Sequence, residues 1–373
     1  MAENDVLRVF HLDSARRPGG GQMQITLLLR ELAAKRVENT LICPPQSTLA
    51  SMELPPGVRQ IHLPIRGEWD VWSVIRLRRL LRRYDPDILH AHDARAHTIC
   101  LLARTTRQRL IVHRRVSFPV SRHFLTGWKY GENVDHFVAV CQAAKDQLGK
   151  VGVPDSKITV INSAVDERRF NDQKTSRESA RAELGLIDNQ EIVGTVSRLT
   201  REKRHDWLLE TLAPMVRNRP GVRIVLIGSG PEESHIQGVA NRLRIVDNVI
   251  FAGYREDVCR LLPAFDVFVL SSESEGYPIS VAEAMAAGCA VVCTDSGGVR
   301  EIVTSDKTGY LVPVEDSVAF RDRVMSLLDS PAKRRSLGET ARQWVREKWG
   351  TKVMADSVLD LYTRMVRLRS RES

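Results

Sequence analysis

Val267-Phe268-Val269-Leu270-Ser271-Ser272-Glu273-Ser274-Glu275-Gly276-Tyr277-Pro278-Ile279-Ser280-Val281-Ala282-Glu283-Ala284-Met285-Ala286-Ala287-Gly288 contains the strand, turn and helix from which the fold is read. Residues 267–270 are continuously apolar and half of them are β-branched, which marks a short strand; the polar turn that follows opens a helix. Gly276 and Pro278 form the turn, so the helix starts with amides that have no intrahelical acceptor and face the end of the strand.

The same alternation continues outward in both directions. Strands are expected over 192–196, 222–227, 249–252, 267–270 and 290–294, and an earlier set over 6–12, 40–43, 59–63, 87–90, 110–113, 136–140 and 158–161. Short apolar strands between amphipathic stretches predict an α/β protein with parallel sheets covered by helices on both faces. A chain of 373 residues has room for two domains. The polar segment 166–189 separates them into 1–165 and 166–350. Within 351–373, residues Met354, Val358, Leu359, Tyr362, Met365 and Val366 recur at helical spacing, which predicts a last helix crossing back to the first domain.

Hydrophobic residues are 43% and charged residues 27% of the chain, a balance that excludes extended disorder. The net charge of +9 lies entirely in the first half, where residues 1–165 carry 24 Lys and Arg against 15 Asp and Glu. A basic half beside a neutral half points to an anionic partner: a phosphate-bearing substrate, a membrane surface or nucleic acid. Cys43, Cys100, Cys141, Cys259, Cys289 and Cys293 lack metal-ligand spacing and read as buried thiols in a reducing compartment. Glu3 and Asp5 replace the basic start of a signal peptide, and no apolar run reaches the ~18 residues of a membrane span. A cytoplasmic location is expected.

Three loops carry chemistry. Pro18-Gly19-Gly20-Gly21-Gln22 follows the first strand and leads into a helix expected near Gln24; its glycines allow close backbone approach, and the helix N-terminus suits a phosphate. The GxGxxG dinucleotide spacing is missing. Arg198 and Lys203 follow the strand 192–196, at the carboxyl end where open parallel sheets bind ligands, and two cations there suit a diphosphate. Glu275 and Glu283 flank the turn of the quoted stretch, and two carboxylates beside a phosphate site suit a ligand rich in hydroxyls, such as a ribose and a sugar.

The Glu275 to Glu283 segment, with Ala284-Met285-Ala286-Ala287-Gly288 behind it, resembles the Glu-seven-Glu motif of the retaining group 1 glycosyltransferases of the GT-B fold. Other stretches agree in order along nearly the whole chain: Pro18-Gly19-Gly20-Gly21, the His-x-His strand end 87–92, the interdomain segment 162–170, Arg198 with Lys203, and Gly228-Ser229-Gly230-Pro231-Glu232. The resemblance implies two facing Rossmann-like domains with an interdomain cleft, the second holding a nucleotide-sugar donor and the first an acceptor. By the same resemblance Glu283 takes the ribose hydroxyls and Glu275 faces the donor sugar. Arg198 and Lys203 neutralise the leaving diphosphate, while Gly20 and Gly21 approach it from the first domain. Gly253, Tyr254 and Arg255 contact the base, and the backbone of the turn Gly276, Tyr277, Pro278 and Ile279 contacts the sugar. It further implies a metal-independent reaction that retains anomeric configuration, with no cofactor. Asp85-Pro86-Asp87, the one Asp-x-Asp, precedes a strand and reads as a turn.

Several positions depart from the family pattern. Its sugar-contacting His after the fifth strand falls on Arg115 or near His113, depending on the alignment, and His92 competes for the role. Cys141 stands where Ser is usual, Ser163-Ala164 where Asn-Gly is usual, and Arg204 where Gly is common.

The stretch from Trp69 to Arg83 interleaves Trp72, Ile75, Leu77, Leu80 and Leu81 with Arg76, Arg78, Arg79 and Arg82. It reads either as a helix with its apolar stripe on the sheet or as an attachment to an anionic membrane. Arg114, Arg115 and Arg122 form a second basic group suited to an acidic acceptor. The expected activity is transfer of a hexose to a glycan, a bacterial lipopolysaccharide core or another lipid-linked envelope glycan, at the inner face of the cytoplasmic membrane. Two rival readings are a nucleotide-sugar epimerase of the same fold and a basic nucleic-acid-binding protein. Against the second, aromatic residues are only 6% of the chain and no nucleic-acid recognition motif stands out.

Overall fold

The computed structural model of the protein describes residues 6–16, 19–116, 120, 126–170, 176–187 and 189–372, with side chains to residue 368. Pro18 and Arg122 lie outside the described residues. The chain divides into two compact units: Met1–Ala164 with Thr351–Ser373, and Val165–Gly350.

Unit 1 contains β1 (Arg8–Leu12), β2 (Glu38–Cys43), β3 (Arg59–His62), β4 (Ile88–Ala91), β5 (Arg109–Arg114), β6 (His136–Ala139) and β7 (Ile158–Val160), in the order β3-β2-β1-β4-β5-β6-β7. Unit 2 contains β8 (Glu191–Val196), β9 (Val222–Ile227), β10 (Val249–Gly253), β11 (Val267–Leu270), β12 (Ala290–Thr294) and β13 (Tyr310–Val312), in the order β10-β9-β8-β11-β12-β13. Every described strand pairing is parallel. Both orders reverse once, between β1 and β4 and between β8 and β11, and each reversal opens a crevice at the carboxyl ends of the strands. β13 was not expected from sequence, because three residues next to a glycine carry too short a period to stand out.

Successive residues of β11 face opposite sides: Phe268 and Leu270 join one core with Val281 and Met285, while Val267 and Val269 join another with Leu208 and Phe320. That alternation buries both faces of the sheet, which is why the strands read as unbroken apolar runs. In unit 1 the helix Thr351–Glu372 lies on the helix Gly20–Ala34, and Met354, Val358, Leu361, Tyr362 and Met365 close the core over Val9, Ile88 and Ile111. The helix Gly20–Ala34 starts at Gly20, several residues before the expected Gln24; Gly19 is extended and no side chain caps the first turn.

Asp85 ends the helix Val71–Tyr84 in a left-handed conformation (φ 41°), and Asp87 accepts from Arg8 N at 3.0 Å, so this Asp-x-Asp is structural. The helix itself divides its apolar residues. Leu77 and Leu81 are buried, but Trp72 is 73% exposed, beside exposed Trp69 and Ile75. All six cysteines are buried free thiols.

Candidate functional site

In unit 2, loops from β8, β11 and β12 meet at the reversal of strand order. A 3-10 turn, Arg201–Lys203, follows β8 and directs Lys203 inward, where Nζ lies 2.5 Å from Glu275 Oε1 with the two side chains 14% and 7% exposed. Ser272 Oγ donates to the same oxygen at 2.5 Å, and Thr294 Oγ1 donates to Ser272 O at 2.6 Å, which ties the three strand ends together. Arg198 leaves the same loop outward: its side chain is 72% exposed and pairs with Glu202 at 3.2 Å. One cation is therefore largely buried, the other exposed and paired only at the surface.

Arg204 adopts φ 53°, the left-handed region that glycine enters without strain. This is the physical basis for glycine at the corresponding position of the resembled family. Here pairs from Arg204 to Glu273 at 3.2 Å and Glu315 at 3.4 Å hold the conformation, so the bulkier residue adds links to the β11 and β13 ends. The 228–232 turn closes the other side. Leu199 N donates to Ser229 O at 3.0 Å and Glu232 N to Leu199 O at 3.0 Å.

The 275–279 turn rests on Gly297 and Gly298, residues the sequence reading passed over. A Cβ on Gly297 would stand 2.0 Å from Glu275 O, and one on Gly298 1.9 Å from Gly276 O. Only glycine permits that approach. The signal was available, a glycine pair just after a strand, the same kind of feature as Gly19-Gly20-Gly21.

Glu283 lies in the helix Ile279–Ala286, its side chain 18% exposed, with Arg169 Nη1 3.5 Å from Oε1. Burial raises the Glu283 carboxyl above its ordinary range and Arg169 opposes the shift. Arg169 also donates to Glu256 O at 3.0 Å; it sits in the 162–170 segment but was not singled out from sequence. Tyr254 is 61% exposed after Gly253. Arg255 is bound bidentately by Asp257 and also by Glu183, and its hydrogen bonds hold the Asp257 carboxyl down at about 2. Arg255 is thus already occupied by carboxylates.

In unit 1 the crevice between β1 and β4 holds a group of buried rings. His11 on β1 is in register with His90 on β4. His11 Nδ1 lies 3.1 Å from His92 Nε2, His11 Nε2 3.1 Å from Asn39 Oδ1, and Arg115 Nη2 3.3 Å from His92 Nδ1. His90 Nδ1 is 2.5 Å from Tyr362 Oη, and His113 stacks on His90 with rings 6° from parallel. Burial depresses all four histidines, His11 to about 4 and the other three well below their ordinary value, so the rings are neutral at pH 7. Burial also lowers the Arg115 guanidinium, to about 10.

Among the three residues competing for a substrate contact, His92 and His113 are only 2% and 5% exposed, inside the sheet, and Arg115 alone is half-buried. Gly21 is packed on Arg115, since a Cβ there would lie 3.4 Å from Arg115 Cδ. Nitrogens of His11, His90 and His92 lie within 4.8 Å of one another, as metal ligands do. Sequence spacing could not reveal that grouping, because it joins two strands.

The chain matches two family models: "Glycosyltransferase Family 4" over residues 18–169 and "Glycosyl transferases group 1" over residues 176–344. It is 26% identical over 312 residues to N-acetyl-alpha-D-glucosaminyl L-malate synthase of Bacillus anthracis, covering 80% of each chain. It is 25% identical over 350 residues to the lipopolysaccharide core biosynthesis glycosyltransferase LpsE of Rhizobium meliloti, covering 92% of this chain and 96% of the relative. Among solved structures it superposes on HepE of Anabaena in complex with UDP and glucose with a TM-score of 0.80, at 19% identity, over 96% of this chain and 99% of that one.

Proposed function

The chain belongs to the group 1 glycosyltransferases of the GT-B fold, enzymes supplied by nucleotide-sugar donors, and from that premise we propose that it transfers a hexose with retention to a hydroxyl of an envelope glycan. Unit 2 receives the donor. The observation that carries this assignment is the buried Lys203–Glu275 pair at the β8/β11 reversal, with the uncapped helix Ile279–Ala286 beginning beside it.

Glu283 accepts hydrogen bonds from the ribose hydroxyls, as a carboxylate with two acceptor oxygens can. Lys203 and Arg198 hold the diphosphate. Cleavage of the anomeric carbon–phosphate oxygen bond leaves positive charge on the sugar and negative charge on the phosphate, and fixed cations and helix amides stabilise the second. The acceptor oxygen bonds to the anomeric carbon on the face the diphosphate leaves, and its proton passes to the departing phosphate oxygen. Glu275 fixes Lys203 and faces the sugar. These positive groups supply the charge that a divalent ion supplies elsewhere, so the reaction is read as metal-independent.

Unit 1 receives the acceptor. Its basic composition and the lipopolysaccharide-core relative support a phosphorylated or acidic envelope glycan. Exposed Trp69, Trp72 and Ile75 beside exposed Arg76, Arg79, Arg82 and Arg83 support contact with an anionic membrane. The test is a thermal-shift screen of nucleoside diphosphates and their sugars, since a ligand bound only to the folded state raises its stability. Hits are followed by measuring nucleoside diphosphate release with and without a lipopolysaccharide-core acceptor. Release that requires the acceptor supports transfer, and no stabilisation by any nucleotide sugar refutes the reading.

A further inference from the structure

We propose that His92, His11 and Asn39 form a directed hydrogen-bond chain that holds the Arg115 guanidinium beside Gly21 as a fixed cation for an oxyanion of the substrate. The inference rests on the glycosyltransferase reading and assigns it positioning residues in unit 1.

The direction of the chain follows from counting protons. A guanidinium only donates, so Arg115 Nη2 donates to His92 Nδ1 across 3.3 Å. Neutral His92 then carries its proton on Nε2 and donates to His11 Nδ1 across 3.1 Å. Neutral His11 in turn carries its proton on Nε2 and donates to Asn39 Oδ1 across 3.1 Å. Asn39 Nδ2 donates to Val37 O across 2.9 Å, which orients the amide. Each link has one permitted polarity, and the polarity is set at both ends by groups that cannot reverse.

The same count argues against a metal ion at His11, His90 and His92. An ion on His92 Nε2 would place the ring proton on Nδ1, against an N–H of Arg115, whereas a ligating histidine donates its second N–H to an acceptor. Protonating either ring would break the chain as well, and burial keeps both neutral.

Arg115 is where the chain acts. Its Cδ lies against Gly21, at the start of a helix with no acidic residue in its first turn and no side-chain cap, so helix amides and guanidinium present positive charge together. A free arginine loses rotamer freedom when it binds an anion; one already held loses less. Asp13, buried and raised to about 6, is the acidic group facing it, and Tyr362 approaches from the last helix.

The first test is spectroscopic, on the full-length protein labelled with 15N at histidine. Long-range 1H–15N correlations at pH 7.5, assigned by single His variants, should show neutral rings with the proton on Nε2 at both His92 and His11. A proton on Nδ1 of His92, an imidazolium, or stoichiometric zinc retained after dialysis would overturn the proposal. The second test is kinetic. His92→Phe keeps the ring volume and removes the acceptor, and should raise KM about tenfold with kcat within about twofold, the signature of lost uniform binding. His92→Gln offers an acceptor oxygen and should recover most of the loss; equal damage from both variants would indicate packing alone and overturn the proposal. Arg115→Met should match His92→Phe, and the double variant should be no worse than Arg115→Met, whereas additive losses would overturn it. A rise confined to the donor KM assigns the oxyanion to the diphosphate, one confined to the acceptor KM assigns it to the acceptor, and no rise in either overturns it. If the wild type transfers no sugar at all, the functional reading fails while the tautomers still decide the chain.

Discussion

Replacing Lys203 by Met separates the ion pair its ammonium group makes with Glu275 from the diphosphate contact proposed for it. It is 2.5 Å from Glu275 Oε1, and both side chains are largely buried, so the substitution leaves a buried carboxylate without its cation. Breaking such a pair from one side costs about 3–5 kcal/mol. Ser272 still donates to the same oxygen, so the lower end, about 3 kcal/mol, is expected. For a unit of this size 1 kcal/mol moves the melting midpoint roughly 2–4 °C, so unit 2 should melt about 6–12 °C lower. The diphosphate also loses a fixed cation, which should lower kcat about 100-fold, the effect of one removed oxyanion donor. Lys203→Met combined with Glu275→Gln has no charge to strand; its melting should return to within about 1 kcal/mol of wild type while kcat stays low. Scanning calorimetry and acceptor-dependent nucleotide release read the two effects. A single variant that melts like wild type, or a double variant that regains kcat, would refute the reasoning.

Glu283→Ala should weaken donor binding by about 1.5–3 kcal/mol with little change in kcat, read by calorimetric titration of the nucleotide. Gly298→Ala drives a Cβ to 1.9 Å from Gly276 O, and should cost about 1–3 kcal/mol of stability and raise the donor KM; an unchanged KM would show that the turn does not touch donor. His11 is held at about 4 against an ordinary 6.5, so the unfolded chain binds more protons between those values. Stability is full above pH 6.5 and is lost as pH falls toward about 4, by roughly 3 kcal/mol from this ring alone. His90, His92 and His113 act in the same direction, and Asp13, raised to about 6, opposes them. Acid unfolding monitored between pH 7 and 4 should therefore be steep, and a flat profile would contradict the burial of these rings. Trp72→Ser with Arg76→Ser and Arg79→Ser should release the protein from anionic vesicles in sedimentation, each arginine contributing roughly 1 kcal/mol; binding unaltered by the triple variant would place membrane contact elsewhere.

Most of the architecture was legible because its signals are local. Unbroken apolar runs such as 267–270 report burial on both faces, and the glycine and proline turns at 19–21 and 276–278 report strand ends. β13 is not legible because three residues show no period, and the helix starts at Gly20 rather than near Gln24 because glycines weaken helix propensity while an N-terminal turn tolerates them. The candidate site was legible only as residue types whose positions the structure brings near one another: Arg198, Lys203, Glu275 and Glu283 all lie on elements flanking the β8/β11 reversal. Their arrangement was not. That Lys203 pairs with Glu275 while Arg198 stands in solvent depends on a 3-10 turn and a left-handed Arg204, which no local pattern announces.

Local sequence decided the strands and the turns, because each depends on residues a few positions apart, and composition alone decided the charge split between the two halves. Tertiary structure alone decided the groupings that depend on sheet order. Parallel strands joined by crossovers place β1 beside β4 and β8 beside β11, which brings His11 to His92 across 81 positions and Lys203 to Glu275 across 72. Hydrogen bonds and ion pairs act over about 3 Å in space, so these contacts came into view only once the strand order was known.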